Sequence, residues 1–280
     1  MLGPKKRALA ELPVGSESPL NFAVSQRDSQ TLDMVRSAIR NKKVMLAFQP
    51  VVQATRPDQP AFYEGLIRVL DETGRVIPAG SFLAAIEDNE LGRELDTLAL
   101  HLGLKALHAN PQLRLSINMS ARSIGYSPWN RTLDRWLKRN ELLAERLVLE
   151  ITENSAMVVP ELVIDFMDRL QLRGICFAMD DFGAGYTALR YFKDFCFDMI
   201  KIDGQFITGI SQNPDNEVMV SAIVSIARHF DMLTVAEFVE TAEDADLLTH
   251  LGVDCLQGYL YAAPTTQPDW MRNSRLQPAV

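Results

Sequence analysis

From about residue 45 onward, short apolar, β-branched runs alternate with amphipathic stretches, and several of the runs stop at an oxygen-bearing side chain. The runs predict strands at Leu46 to Val52, Ala61 to Ile67, Leu113 to Met119, Leu147 to Thr152, Ile175 to Asp180, Met199 to Asp203, Leu233 to Glu237 and Asp254 to Gln257. Helical periodicity lies between them, at Ser81 to Ala109, Arg131 to Lys138, Glu161 to Leu172, Glu217 to Phe230 and Ala242 to Leu251. Eight strands joined largely by helices predict an α/β fold, a TIM-like (β/α)8 barrel whose active site forms where strand C-termini meet the following loops. The first link is the exception. Gln53 to Gln59 is too short for a crossover helix, so the first strand is expected to run antiparallel to the second.

A chain of 280 residues with 47% apolar composition suits one barrel of roughly 250 residues. Residues 1–29 mix Gly, Pro, Ser and charge without periodicity and are expected to form a flexible leader. The barrel is expected over 30–272, opened by a short amphipathic helix from Thr31 to Arg40, and 273–280 reads as a tail. With 28 basic against 36 acidic residues the net charge is −8, which argues against general binding to polymeric nucleic acid or anionic membranes. No window approaches ~20 apolar residues, so no membrane segment is expected. Cys176, Cys196 and Cys255 lie in apolar contexts without Cys-x-x-Cys spacing and read as buried thiols in a reducing cytoplasm. The histidines stand away from the polar strand ends, with His101 and His108 on one helical segment, so a zinc or histidine-based centre is not expected.

Asp180 and Asp181 stand where the run Gly174 to Met179 gives way to Phe182-Gly-Ala-Gly-Tyr186. Neighbouring like charges at the end of a buried strand raise each other's pKa unless a cation neutralises them. A lone pair of this kind would equally serve as a turn and helix cap, but other runs end in Asn118, Glu150 and Glu237, and the run beginning at Ala61 reaches Glu64. Carboxylate and amide oxygens without histidine or cysteine favour magnesium or manganese. Glu64, Glu150, Asp180, Asp181 and Glu237 carry five negative charges and Lys201 one positive charge, so two divalent cations would cancel the remainder.

From about Val44 to Pro264 the chain resembles the EAL family of cyclic di-GMP phosphodiesterases. The resemblance rests on eight ordered blocks: Gln49-Pro-Val-Val52, Glu64-Gly-Leu-Ile-Arg68, Asn118-Met-Ser120, Leu149-Glu-Ile-Thr-Glu153, Asp180-Asp-Phe-Gly-Ala-Gly-Tyr186, Lys201-Ile-Asp203, Ala236-Glu-Phe-Val-Glu-Thr241 and Gln257-Gly-Tyr259. It implies hydrolysis of cyclic di-GMP to linear pGpG by a two-metal, water-activated in-line mechanism with Mg2+ or Mn2+. Glu64, Asn118, Glu150 and Asp180 would ligate one cation, and Asp180, Asp181 and Glu237 the second. Lys201 would orient or polarise the attacking water, and Arg68 would contact a phosphate. Gln49 and Leu66 would belong to the substrate site, Gln257 would lie near water or substrate, Asp203 beside Lys201, and Glu153 would brace the Asp181 to Leu189 loop. The resemblance also implies a homodimer built through helices flanking that loop. With no sensor expected in the first 29 residues, control is expected from a regulatory protein partner, oligomerisation or expression.

The chain departs from the family pattern at Gly65, where alanine is usual, and at Phe238, where glycine usually follows the metal-binding glutamate. Val69-Leu70-Asp71 also stands in place of the usual Trp and His-Pro. None of these removes a ligand. The Phe238 ring is expected to crowd Glu237 or narrow the groove, which keeps two other readings open: a catalytically weak or inactive cyclic di-GMP receptor signalling through a protein partner, and a scaffold that binds no nucleotide.

Overall fold

The computed structural model describes residues 19–86, 89–184 and 194–274. Among them, nine strands form one sheet: β1 Val44–Gln53, β2 Arg56–Leu70, β3 Val76–Pro78, β4 Leu115–Asn118, β5 Leu147–Thr152, β6 Cys176–Phe182, β7 Met199–Ile202, β8 Leu233–Ala236 and β9 Cys255–Leu256. Eight of these close into a barrel in the order β1-β2-β4-β5-β6-β7-β8-β9 and back to β1. Both pairings of β1 are antiparallel, and the pairings from β2 through β9 around the barrel are parallel. The expected antiparallel first strand is therefore present, with a tighter link than expected: Gln53 already pairs with Arg56, leaving Ala54 and Thr55 as the turn.

Side-chain alternation builds the barrel interior in layers. Val51, Phe62, Val148, Ala178, Met199, Val235 and Cys255, each from a different strand, form one buried apolar cluster. Two residues further along each parallel strand, on the same face, come Glu64, Glu150, Asp180, Lys201, Glu237 and Gln257. On the reversed β1 the corresponding residue is Gln49, two positions before Val51. A period of two thus places a polar layer directly above an apolar floor on seven strands. Residues of opposite parity, such as Ile117, Leu149, Phe177 and Ile200, belong to the outer core with the helices, including Leu100 and Leu104 of helix Glu90–Ala109, Phe166 of helix Pro160–Gln171 and Ile223 of helix Pro214–His229.

Five features differ from expectation for identifiable reasons. Strand β3 pairs antiparallel with β2 because Asp71 Oδ1 accepts from the backbone N–H of Thr73 and Arg75, both at 2.9 Å, turning the chain into a hairpin through Gly74. The long helix expected from Ser81 breaks into Leu83–Ile86 and Glu90–Ala109, the second starting afresh where Asn89 Oδ1 accepts from Leu91 N at 3.0 Å. The N-terminal helix runs Pro19–Arg40, so residues 19–29 of the expected leader are helical. No Gly or Pro interrupts Leu20 to Arg40, and the turns propagate outward from the buried Val35 and Ala38. Helix Asp269–Ser274 overlaps the start of the expected tail, whose last six residues, like residues 1–18, lie outside the described residues. Finally, Cys196 is exposed and Cys176 half-buried, leaving Cys255 as the buried thiol. Phe195 and Phe197 point inward on either side of Cys196, so alternation turns it out.

Gly65 has a packing explanation. A Cβ there would lie 2.6 Å from Ile117 Cδ1 and 3.2 Å from the Ser116 carbonyl oxygen, and a Cβ on Gly103 would meet the same Ile117 Cδ1 at 2.8 Å. The isoleucine fills space left by two glycines. Gly65→Ala alone should lower stability by about 1–3 kcal/mol through overpacking, and Ile117→Val on the same chain should recover most of that loss. Calorimetric unfolding of both single variants and the double variant checks this; simple addition of the two losses would refute the shared space.

Candidate active site at the barrel mouth

The strand ends bring the predicted residues to one place. Lys201, 1% exposed, sits among four carboxylates, with Nζ 2.8 Å from Asp180 Oδ1, 2.9 Å from Glu237 Oε1, 3.0 Å from Glu150 Oε2 and 3.6 Å from Glu64 Oε2. Asn118 Nδ2 donates to Glu64 Oε1 at 2.8 Å, and Gln257 Nε2 donates to Glu64 Oε2 at 2.6 Å. Gln49 joins through its Oε1, which accepts from Gln257 Nε2 at 3.3 Å, while its own Nε2 donates to the Ala262 carbonyl at 3.1 Å.

Asp180 and Asp181 would face opposite sides of a regular strand. The β6 register shifts between Met179 and Phe182, and Asp181 takes a left-handed φ of +53°, a conformation that aspartate tolerates better than most residues. As a result Asp180, Asp181 and Glu237 each bring a carboxylate oxygen within 4.8 Å of the others. Just beyond, Gly183 has φ +93° and lies against the Phe206 ring, so neither its backbone nor its surroundings admit a side chain. Its N–H donates to Glu153 Oε2 at 3.0 Å, and its carbonyl accepts from Gln205 Nε2 at 2.9 Å. The rest of the loop that Glu153 was expected to brace, residues 185–193, lies outside the described residues.

The remaining predicted residues fall into two groups. Leu66 and Arg68 line a 470 Å³ pocket that opens on Glu64, Asp181, Glu237 and Gln257. Asp203 does not line it: its Oδ1 accepts from Gln205 N at 2.9 Å and caps the short helix Gly204–Ile207, although its charge still acts on Asp181. Sequence reasoning missed the pocket wall from Pro78 to Gly80, which depends on the unforeseen β3 hairpin, as well as Tyr259 as a wall residue and Gln205 as a second hold on Gly183. The Glu240 that also lines the pocket stands inside a recognised block without having been singled out.

One ammonium does not neutralise this many carboxylates. Burial, and then the charges of Glu64 and Asp180, raise the Glu150 pKa well above the usual carboxylate range despite Lys201. Burial and the Asp180 charge push Asp181 to about 6, and burial takes Glu237 to about 8 even though Lys201 pulls it down. Burial also acts upward on Glu64, but Lys201 and the hydrogen bonds from Gln257 and Asn118 outweigh it and leave that carboxyl lowered. Burial works against the Lys201 ammonium, and the surrounding carboxylates reverse the effect and raise its pKa well above the usual lysine value. The all-oxygen donors, the excess negative charge and a buried Glu150 Oε1 without a hydrogen-bond partner fit hard divalent cations.

Comparison with known proteins places this barrel in a family. The family described as "EAL domain" matches residues 32–264. The chain belongs to this family. It is 32% identical over 256 residues to the bifunctional diguanylate cyclase/cyclic di-GMP phosphodiesterase MucR of Pseudomonas aeruginosa, an alignment covering 89% of this chain and 37% of that protein. It is 30% identical over 269 residues to the cyclic di-GMP phosphodiesterase PdeF of Escherichia coli, covering 91% of this chain and 36% of that protein. The chain thus spans little more than a third of the length of these relatives. A solved MucR phosphodiesterase in complex with c-di-GMP superposes with a TM-score of 0.75 at 29% identity, covering 84% of this EAL chain and 97% of the MucR chain.

If Lys201 is the internal counter-charge, Lys201→Met should cost about 3–5 kcal/mol of stability in chelator, because buried carboxylates lose their partner. Added manganese should then raise the melting temperature of the variant more than that of the unaltered protein. Thermal melts with and without metal test both parts, and an unchanged melting temperature in chelator would refute the counter-charge role.

Proposed function

We propose that this EAL domain is a metal-dependent phosphodiesterase that hydrolyses cyclic di-GMP to linear pGpG. The observation that carries the reading is the convergence of Glu64, Asp181, Glu237 and Arg68 on one pocket, in a chain whose curated relatives are named cyclic di-GMP phosphodiesterases. Glu64, Asn118, Glu150 and Asp180 would hold one divalent cation, and Asp180, Asp181 and Glu237 a second, with magnesium or manganese favoured by the oxygen donors. Bound there, the two cations would offset the carboxylate charge that repels a phosphodiester and would lower the pKa of an attacking water.

The chain's own groups then divide the remaining work. In an in-line displacement the water oxygen forms a bond to phosphorus as the bond to the 3′ oxygen breaks, and that oxygen takes up a proton. Lys201, held by carboxylates, would orient the water, and Arg68, half-buried at the pocket wall, would meet a phosphate oxygen. Gln257, steadied by Gln49, fixes the Glu64 carboxylate, and the hydrogen bond from Asn118 Nδ2 to Glu64 leaves the Asn118 amide oxygen available to a cation. Glu153 and Gln205 hold Gly183, so that Asp181 keeps its left-handed conformation.

A homodimer is part of the same proposal. Val158, 75% exposed, with Val159 and Leu162, forms an apolar surface where helices Glu153–Val158 and Pro160–Gln171 meet, beside the strand that carries Glu150. A cytoplasmic setting accords with the unpaired cysteines, and a regulatory protein partner is part of the same reading. The receptor reading draws support from Phe238, which places a bulky ring where the family has glycine.

Incubation with cyclic di-GMP and manganese should yield pGpG, and chelator should abolish it. Glu150→Ala should reduce turnover by about 100-fold or more while the protein stays folded, since the loss of a ligand also relieves like-charge repulsion. Product chromatography and circular dichroism check the two halves. Turnover in chelator would refute metal dependence, and binding of cyclic di-GMP without any hydrolysis under manganese would establish the receptor reading instead.

A further inference from the structure

Phe238 lines the pocket, and hydrolysis gives it no task. Its backbone lies at φ +55°, a region that glycine enters freely and phenylalanine does not. The residue is 59% exposed although it lines the same pocket as Glu64, Arg68, Asp181, Glu237 and Tyr259. A strained backbone that presents an apolar ring to solvent calls for a compensating use. Nor is the ring loose. A Cβ built on Gly204 would lie 2.5 Å from Phe238 Cδ2 and 2.8 Å from Cγ, so the ring rests directly on a bare glycine and could not do so on any other residue. The side chain thus packs against the Gly204 backbone while Phe238 stays largely exposed at the pocket.

We propose that Phe238 is a specificity-determining residue that stacks on one purine base of the cyclic dinucleotide. The inference rests on the phosphodiesterase reading, because the ring directly follows Glu237, whose Oε1 is 2.9 Å from Lys201 Nζ, and so lies next to the centre that would take the phosphate. The neighbouring polar groups serve charge: Arg68 and cations suit phosphate, and the carboxylates suit cations. A flat base needs a flat apolar partner, and a phenylalanine packed against Gly204, with only two side-chain torsions, provides one with little loss of side-chain freedom on binding. Stacking strength grows with the size of the base, so the ring would favour purine over pyrimidine cyclic dinucleotides.

The test is titration of cyclic di-GMP into the protein in calcium, which binds such oxygen sites with looser geometry than magnesium, together with steady-state kinetics in manganese. Phe238→Leu should weaken binding about tenfold, raise KM by a similar factor and leave kcat nearly unchanged, while Phe238→Tyr retains the affinity of the unaltered protein. Cyclic di-UMP should bind more weakly than cyclic di-GMP and respond less to Phe238→Leu. Gly204→Ala, which would drive a Cβ into the ring, should also weaken cyclic di-GMP binding, and should have no effect once Phe238 is glycine. Equal cyclic di-GMP affinity in Phe238→Leu, or tighter binding in Phe238→Gly, would overturn the stacking role and leave the phosphodiesterase reading intact. Failure of the unaltered protein to bind cyclic di-GMP at all would overturn both.

Discussion

Lys201 brings a single positive charge into a cavity walled by Glu64, Glu150, Asp180 and Glu237, each with an oxygen within 3.6 Å of its Nζ. In a low-dielectric interior a lone ammonium would tend to lose its proton and lone carboxylates to keep theirs. Set together they hold one another in charged form, but only in part. The shortfall appears in the raised Glu150, Asp181 and Glu237 carboxyls, which bind protons more tightly than free carboxylates do. An ion-pair network built for stability would balance its charges. This one is short of positive charge, and that shortfall suits it to accept divalent cations.

The barrel creates this imbalance through register. Seven of the eight barrel strands contribute one apolar floor residue and one polar residue two positions away from it, so burial of the floor forces the polar set inward. A slip by one residue on any strand would send its functional group out among the helices. The reversed β1 closes the ring, and the site's amides cross that seam: Gln49 on β1 bonds Gln257 just after β9, which bonds Glu64 on β2. The same hydrogen bonds that orient the Glu64 carboxylate therefore span the closure of the barrel, and the short β9 gains support that its two residues alone would not give.

How far all this was legible in the sequence depended on whether the signal was periodic. Apolar runs ending in Glu150, Asp180 or Lys201 announce strand and site together, because one alternation specifies both. The Asp71 hairpin and the Asn89 restart depend on a single side chain accepting backbone hydrogen bonds, a signal that periodicity in the flanking residues hides. Asp203 reads as a site residue beside Lys201, yet its first obligation is to cap a helix. Cys196 reads as buried from its aromatic neighbours, although alternation with those same neighbours turns it outward. The bulge that brings Asp181 to the side of Asp180 has no sequence mark apart from the adjacent glycine.

Two of the departures from the family pattern, Gly65 and Phe238, have opposite physical characters. At Gly65 the missing methyl is replaced in space by Ile117 Cδ1, within a packing exchange that leaves Glu64 its contacts with Asn118, Gln257 and Lys201. Such compensation keeps the core dense and asks nothing of the active site. At Phe238 nothing is compensated: the residue holds a left-handed conformation that costs roughly 1–2 kcal/mol outside glycine, and its ring buries little surface in return. A chain under no demand at this position would recover that energy with glycine. The exposed ring, seated on Gly204 at the mouth of an acidic pocket, is therefore where this domain's chemistry is most its own.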